Sequence, residues 1–588
     1  MAYMDSSNLG AMRHSCEHIL TQAMIKLFPG IKMAMGPATD EGFYFDFEYN
    51  GKISDEDFPK IEKEMASIVK RNLPIAQKNL MMEEARSLFK ENPYKMEWLD
   101  EIEKKGEKVS VYWTGDKFVD LCSGPHVAST GKVGPFKLLS VAGAYWRGDS
   151  KNKMLTRIYG TCFPTKEELD KFLWQTEEAK KRDHRKLGKE LGFYLITDDV
   201  GAGLILWKPK GAIIRRIMEN FIMEEQSKRG FKIVFSPHIG KKQLWITSGH
   251  WDLYRDKMYA PMKIDDVEYM VKPMNCPMHM MIYRSELHSW KELPLRIAED
   301  ASVYRYEQAG ELSGMVRGRY LTQDDAHIFC TEEQVTQEFI DVMDYAFFFL
   351  KAFGINDYYM QLSIRDPKNK NKYLGSDEIW LRAEQKIKDA VTEKKVPFIV
   401  KEGEAAFYGP KLDFMIKDSL GREWQCGTIQ IDFMLPERFK LEYTNSTGKK
   451  QRPVVIHRAI AGSLERFFAI LVEHYAGAFP LWLAPVQVVI LPVSDMYLDF
   501  AHRVLANLTK QGFRCEVNSE NQTLGKKIRQ STLQKVPHMV IIGDREVEKS
   551  KDKDLYVSVR TRTGKDLGMM DIEIFIKKLQ ELIEKRAL

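Results

Sequence analysis

Long hydrophobic runs are missing from this chain. No stretch of about 18 apolar residues occurs among its 588, and no basic segment followed by an apolar one opens it. No membrane span and no secretory leader are therefore expected, and a cytoplasmic location is. Cysteine is scarce as well: Cys16, Cys122, Cys162, Cys276, Cys330, Cys426 and Cys515 are odd in number and widely scattered, which argues against a disulfide framework and for a reducing compartment. Excess charge of one sign is also lacking. With 88 Lys and Arg against 83 Asp and Glu the net charge is +5, so any nucleic-acid binding must use local patches. Repeats and low-complexity segments are absent. So are a G-x-x-x-x-G-K-[ST] phosphate loop and a G-x-G-x-x-G between strand and helix, so a bound nucleotide would have to be held by other means.

What is present suits a soluble globular chain with several cores: 44% apolar and 29% charged residues, and a length that suggests roughly four units of about 150 residues. Residues 165–193, TKEELDKFLWQTEEAKKRDHRKLGKELGF, are charged with few apolar positions and read as an exposed connecting helix. Before them, a helix at 11–28 and strand-like runs KVSVYWTG and GPFKLLSVAGAYW suggest a compact α+β domain. From 195 to about 483, strands and helices mix without a βαβ rhythm. After LAPVQ, the runs VQVVILPV, RCEVN, HMVIIGD and LYVSVRTR alternate with helices at 496–512 and 524–534, the pattern of a small α/β domain with a mainly parallel sheet. The expected domains are 1–164, a linker 165–194, 195–483 and 484–588.

Three constellations carry chemistry. In HSCEHIL, His14 and His18 lie one helical turn apart, as in the metalloprotease pattern H-E-x-x-H, but Ser15 occupies the place of the general-base glutamate. Leu20, Ala23, Met24 and Leu27 make an apolar stripe that includes Cys16, so the two histidines face a cleft beside it. DLCSGPH offers Cys122 and His126, also four apart. Together the four suit either a tetrahedral zinc site or a metal-free hydrolytic pocket in which neutral imidazoles position a water. Cys276 in KPMNCPMH, His327 in TQDDAHIFC and His457 in VVIHRAIAGSLERF form a second set. They suit three zinc ligands with an open fourth position, although their spacing matches no ligand signature. The third is arginine placement. VYRYEQAGELSGMVRGRY reads as two antiparallel strands around a Gly/Ser-rich loop, with Arg305 and Glu307 on one arm and Arg317 on the other. Arg466 lies on an apolar helix, where it is either paired with an acid such as Glu465 or clamps a phosphate.

These stretches, jointly and in this order, resemble the bacterial threonyl-tRNA synthetases of class II over essentially the whole chain. GAIIRRIMENFIMEEQSKRGFKIVFSPHI, ending in Pro237, is similar to class II motif 1. YRYEQAGELSG through TQDDAHIFC is similar to motif 2, and HRAIAGSLERFFAILVEHYAG to motif 3. DLCSGPHV, GAYWRGDSKNKMLTRIYGT and HSCEHIL resemble the family's editing domain. The family usually begins with a ubiquitin-like domain before the histidine pair, and this sequence starts without it. Motif 2 ends VRGRYLTQDDAH where RVRGFTQDDAH is the usual form, with Arg317 keeping its spacing of ten to His327.

The resemblance implies an α+β multidomain protein with an antiparallel-sheet catalytic core, an α+β editing domain and an α/β anticodon-binding domain. It implies activation of L-threonine by ATP with magnesium, transfer to the 3′ end of tRNA(Thr), hydrolysis of mischarged seryl-tRNA(Thr), and a homodimer. Arg305 would grip the α-phosphate and carboxylate, Glu307 the adenine, Arg317 and Arg466 the outer phosphates, with Lys411 and Gln425 completing the contacts. One zinc per subunit, held by Cys276, His327 and His457, would coordinate the amino and hydroxyl groups of threonine. Gln323, Asp325, Tyr408 and Met274 would line that pocket. His14, His18, Cys122 and His126, assisted by Lys95 and Asp120, would form the editing pocket without metal. Glu546 and Arg560 would contact the anticodon. A prolyl-type synthetase would lack the zinc trio and TQDDAH. A non-catalytic homologue would be expected to lose a motif arginine or a zinc ligand, and none is lost.

Overall fold

The computed structural model describes residues 6–149, 151–550 and 554–587. Its contacts divide the chain into two units, Met1–Glu177 and Glu178–Leu588. In the first, the helix Ser6–Leu27 buries Cys16, Ile19, Leu20, Ala23 and Met24 completely. These positions fall on one face of a 3.6-residue helix, and Cys16 is the small core residue that the stripe requires. They pack on an antiparallel sheet whose strands run in the order Lys32–Met35, Phe43–Glu48, Met154–Cys162 and Phe136–Tyr145. Phe43, Phe45 and Phe47 alternate along one strand and so share its buried face. A second sheet, Ile75–Leu80, Val109–Thr114 and Phe118–Leu121, carries the helices Met82–Phe89 and Pro93–Lys105 on a smaller core.

The charged stretch at 165–193 is not one exposed helix. Helix Lys166–Arg182 is largely exposed, but the chain breaks at Asp183, whose carboxylate accepts the Arg185 N–H and caps a second helix, His184–Glu190. Leu187 and Leu191, one turn apart, then enter the largest core with Phe193. His184 is buried between two elements. Its Nδ1 donates to Glu473 Oε1 at 2.7 Å, its backbone N–H donates to the same oxygen at 3.0 Å, and its Nε2 accepts from Met315 N–H at 3.2 Å. Charge density hid this anchor, because a histidine among lysines reads as surface.

Glu473 also takes Arg422 at 2.5 Å. Burial pushes this carboxyl up, but His184 and Arg422 more than offset that and hold it below its ordinary 4.5. Its contribution is therefore present above that value and is lost as pH falls through the lower folded one. We expect Glu473→Gln to lower stability at pH 7 by about 2–3 kcal/mol and to flatten the acid limb of the stability profile. Thermal melts from pH 3 to 8 read both, and an unchanged acid limb would remove this carboxylate from the account.

The main sheet of the second unit has eight strands, in the order Lys232–Ile233, Leu295–Tyr304, Tyr320–Cys330, Val454–Ser463, Glu423–Asp432, Lys411–Lys417, Tyr358–Ile364 and Phe398–Glu402. The six central strands are antiparallel, and each edge strand pairs parallel to its neighbour. Helices Pro209–Lys228, Val335–Ala352 and Leu464–His474 pack in its core. Asp324 pins the strand that holds His457: it accepts the backbone N–H groups of Ile460, Ala461 and Gly462 and pairs with buried Arg458. The C-terminal sheet runs Cys515–Val517, Val488–Pro492, His538–Ile542, Tyr556–Thr561 and Asp566–Asp571. Its first three strands are parallel, as the β/α alternation suggests. Tyr556–Thr561 pairs antiparallel both with His538–Ile542 and, across a short hairpin turn, with Asp566–Asp571, so the sheet is mixed rather than mainly parallel.

Candidate functional sites

A cavity of about 460 Å3 opens over the centre of the eight-stranded sheet, within the usual size of a small-ligand site. His327 and His457 face each other across neighbouring strands, with ring centroids 4.5 Å apart. Cys276 joins them from the start of the helix Cys276–Arg284. All three are buried, and their ligand atoms lie within 4.8 Å of one another. Three observations suit a cation. His327 Nε2 is buried with no hydrogen-bond partner. His457 Nε2 is held by Asp432 Oδ2 at 2.8 Å, which leaves Nδ1 to the cavity. Cys276 Sγ has His250 Nε2 as a distant neighbour at 3.9 Å, and burial, helped by Asp325 and Asp432, pushes its thiol well up. A soft cation that draws off the thiol proton and accepts two imidazole lone pairs fits this donor set.

Gln323, Asp325, Tyr408, Met274, Arg305 and Lys411 line the same cavity. Gln323 and Asp325 alternate with Asp324 on one strand, so they point to the cavity while Asp324 points away from it. Tyr408 donates to Gln430 Oε1. Burial raises the Asp325 carboxyl, and His279 and His457 counter the shift. Sequence reasoning missed several lining residues: His250, Phe407, Thr428 and Gln430. They carry no spacing signal, because they come from three separate segments, Thr428 and Gln430 sharing the strand Glu423–Asp432. His250, its Nδ1 facing Ser248 Oγ at 2.7 Å, is pushed down to about 3 by burial and His457. Glu299 lies behind the trio. Burial pushes this carboxyl up, yet His279, Lys272 and Asn275 hold it down to about 2.

The remaining motif residues are spread along the rim. The strands expected to carry Arg305, Glu307 and Arg317 end at Tyr304 and resume at Tyr320, so all three lie on the connecting loop, which turns at Gly314 with φ of 49°. Arg305 Nε donates to Pro273 O at 3.2 Å. Glu307 is buried and engaged by Lys257 Nζ at 2.7 Å. Arg317 is half exposed, 3.9 Å from Glu311. Arg466 does not pair with Glu465, which is held by Thr322 N–H and lies 3.6 Å from Arg215. It donates instead to the carbonyls of Val316 and Gln425. Burial and the nearby Arg317 and Arg305 disfavour its charge, an arrangement that an anion would relieve. Lys411 and Gln425 both reach Asp413, at 2.8 Å each.

In the first unit, His14, His18, Lys95, Asp120 and Cys122 line a cavity of about 680 Å3. The rings of His14 and His18 each lie 4.2 Å from that of His126. Cys122 Sγ is 3.4 Å from His14 Nε2 and 3.2 Å from His126 Nε2. Burial lowers all three imidazoles and pushes the Cys122 thiol up to about 12, so the cluster is neutral at pH 7. Ser15, at the position of the missing protease glutamate, has its own part. It donates to Ala11 O, accepts Val127 N–H and holds His126 Nδ1 at 3.0 Å. Lys95 and Asp120 form a buried ion pair at 2.7 Å. Glu17 is fully buried, bound by Thr21 Oγ1 at 2.7 Å. A Cβ on Gly36 would fall 2.0 Å from its carboxyl carbon, so that glycine makes room for it.

In the C-terminal sheet domain, Glu546 lies on the helix Asp544–Lys549. It is engaged there, accepting Gly543 N–H at 2.9 Å and Ser558 Oγ at 2.5 Å. Arg560 sits on the strand Tyr556–Thr561 at a register shift, its guanidinium beside the Gly564 turn. Among the described residues no helix is long and apolar enough to cross a membrane.

Family models match three segments: the tRNA synthetase class II core domain (G, H, P, S and T) over residues 259–475, an anticodon binding domain over 487–582, and the threonyl and alanyl tRNA synthetase second additional domain over 109–159. The threonine–tRNA ligase of Rubrobacter xylanophilus is 48% identical over 580 residues, which are 98% of this chain and 89% of that protein. That of Gloeobacter violaceus is 49% identical over 595 residues, 99% of this chain and 94% of the relative. A crystal structure described as the RNA binding domain of threonyl-tRNA synthetase from Cryptosporidium parvum Iowa II superposes with a TM-score of 0.64 at 37% identity, covering 68% of this chain and 98% of that one.

Proposed function

The chain belongs to the threonine–tRNA ligase family, and on that premise we propose that it activates L-threonine with ATP, transfers it to tRNA(Thr) and hydrolyses seryl-tRNA(Thr). The observation that carries this is one cavity holding both the Cys276–His327–His457 trio and Arg305, Lys411 and Asp325. A zinc ion bound by the trio would supply coordination for the amino and hydroxyl groups of threonine. Asp325 accepts the hydroxyl proton or orients the amine, and Gln323, Tyr408 and Met274 shape the space around it. Arg305 grips the carboxylate and α-phosphate, where charge develops during attack. Arg317 and Arg466 take the outer phosphates, which magnesium accompanies, while Glu307 meets the adenine and Lys411 and Gln425 complete the contacts. A site built around a hydroxyl rejects valine by roughly 10⁴-fold or more, whereas serine, short of one methyl, escapes with roughly 10–200-fold. That shortfall gives the second cavity its work: His14, His18, Cys122 and His126, with Lys95 and Asp120, position a water against the seryl ester without metal.

ATP–pyrophosphate exchange across a panel of amino acids, with zinc content measured alongside, tests the whole. Exchange with another amino acid in preference to threonine would overturn it. A cytoplasmic location and a homodimer belong to the reading, the dimer supported by exposed Leu206, Ile213 and Phe235 in and around the motif 1 stretch. Arg560 and Glu546 contact the anticodon, the latter on giving up its link to Ser558. Arg560→Ala should raise KM for tRNA about 10-fold, the scale of one lost arginine contact, while sparing ATP–pyrophosphate exchange. An equal loss in both assays would count against it.

A further inference from the structure

Behind the trio lies a set of polar side chains with no access to solvent. Lys272 and His279 are fully buried, Asn275 and Glu299 nearly so. Glu299 Oε1 faces Lys272 Nζ at 3.3 Å and takes Ser236 N–H at 3.1 Å. Its Oε2 takes Asn275 Nδ2 at 3.0 Å and lies 3.2 Å from His279 Nε2. On the far side of the same ring, His279 Nδ1 is 2.8 Å from His327 Nδ1. A buried lysine and a carboxylate have no reason to sit under a metal-type site unless they settle something there, since desolvating such a pair gains little stability.

What they settle is a proton. A neutral imidazole has one donor and one acceptor nitrogen, and we assign them here from the partners each nitrogen meets. The Glu299 carboxylate only accepts, so His279 carries its proton on Nε2 and offers a lone pair at Nδ1. His327 must then donate from Nδ1, which leaves its buried, unpartnered Nε2 as a bare lone pair facing Cys276 and His457. Asn275 Nδ2, a donor, also lies 2.8 Å from His279 Nε2, nearer than Glu299 Oε2 at 3.2 Å. Two donors therefore face each other there in this assignment, and the opposite tautomer competes with it. Donation from there would reverse the chain and turn an N–H of His327 into the cavity, a buried donor without an acceptor.

We propose that His279, oriented by Glu299, is a positioning residue for the metal site: it accepts the Nδ1 proton of His327 and so presents Nε2 of His327 to the cation. The inference rests on the reading of the trio as a zinc site. It adds a pair of residues that no spacing singles out and that never touch the metal. Zinc-bound histidines depend on such partners, whose loss weakens metal binding by about 10–100-fold.

Two polar replacements separate this wiring from mere support of the fold. In His279→Asn the amide oxygen can stand where Nδ1 stood and still accept from His327. In His279→Gln the longer amide reaches Glu299 but leaves His327 without that acceptor. Zinc affinity of the full chain, measured by competition with a chromophoric chelator at constant pH and with melting temperatures recorded in parallel, is expected to fall about 10–100-fold in His279→Gln and to stay within a few-fold of wild type in His279→Asn. Equal affinities in the two variants, or Gln binding zinc as tightly as wild type, overturn the proposal while leaving the zinc site intact. A wild-type chain that takes up no zinc overturns the zinc reading and this inference with it.

Discussion

Replacing Cys276 with alanine is expected to abolish threonine activation, lowering ATP–pyrophosphate exchange by about 10⁴-fold or more. That is the scale on which a site built around a hydroxyl suffers when the contact to it is gone. The trio offers three donors and keeps a fourth position for substrate. Removing one leaves two imidazoles, His457 held from behind by Asp432 at 2.8 Å and His327 by His279 at 2.8 Å, and two neutral donors are too few to keep the ion. The substitution deletes a single sulfur at the start of a helix, so folding should change little and melting temperature serves as the control. Metal analysis should find one zinc per wild-type chain and far less in the variant. Fully active wild-type protein with no zinc would sink the idea, and so would a metal-free variant that still activates threonine.

The double change His14→Ala, His18→Ala should have an effect of comparable size on another reaction. Hydrolysis of seryl-tRNA(Thr) should fall by about 10²–10⁴-fold, the range for a lost proton-transferring or water-positioning group. Threonine activation and transfer should stay near wild type, and seryl-tRNA(Thr) should accumulate when serine is supplied. The separation is expected because every residue of the first cavity belongs to Met1–Glu177 and every residue of the second to Glu178–Leu588. A structural role for the histidines predicts something else. His18 is fully buried, with its ring edge-on to Phe118 at 5.7 Å, so its loss would then lower the melting temperature and depress both activities together. Undiminished hydrolysis in the variant would mean the wrong pocket has been named.

Much of this molecule was legible one element at a time. The spacing of Cys16, Leu20, Ala23 and Met24 announced the buried face of the first helix, and the alternating runs near the C-terminus announced a β/α domain. Local pattern failed where a long-range partner decided the outcome. His184 and Leu187 looked like surface in a stretch of lysines and glutamates, yet Glu473, Met315 and the main core claim them. The antiparallel end of the C-terminal sheet escaped for a related reason: a strand's residues state its burial, and the strand it pairs with is settled elsewhere in the chain.

The sequence by itself determined which residue types were available and which chemistry they favour: two histidines a turn apart, a Cys-x-x-x-His, scattered Cys276, His327 and His457, and arginines in place of a phosphate loop. Resemblance grouped them into sites. Only the tertiary structure decided how each group is held. It set His327 opposite His457 on adjacent strands, left His327 Nε2 without a partner, gave Ser15 to His126, and placed Glu299 and His279 behind the trio. Protonation, tautomer and exposure depend on what surrounds an atom within a few ångströms, and here those surroundings come from segments far apart in the chain.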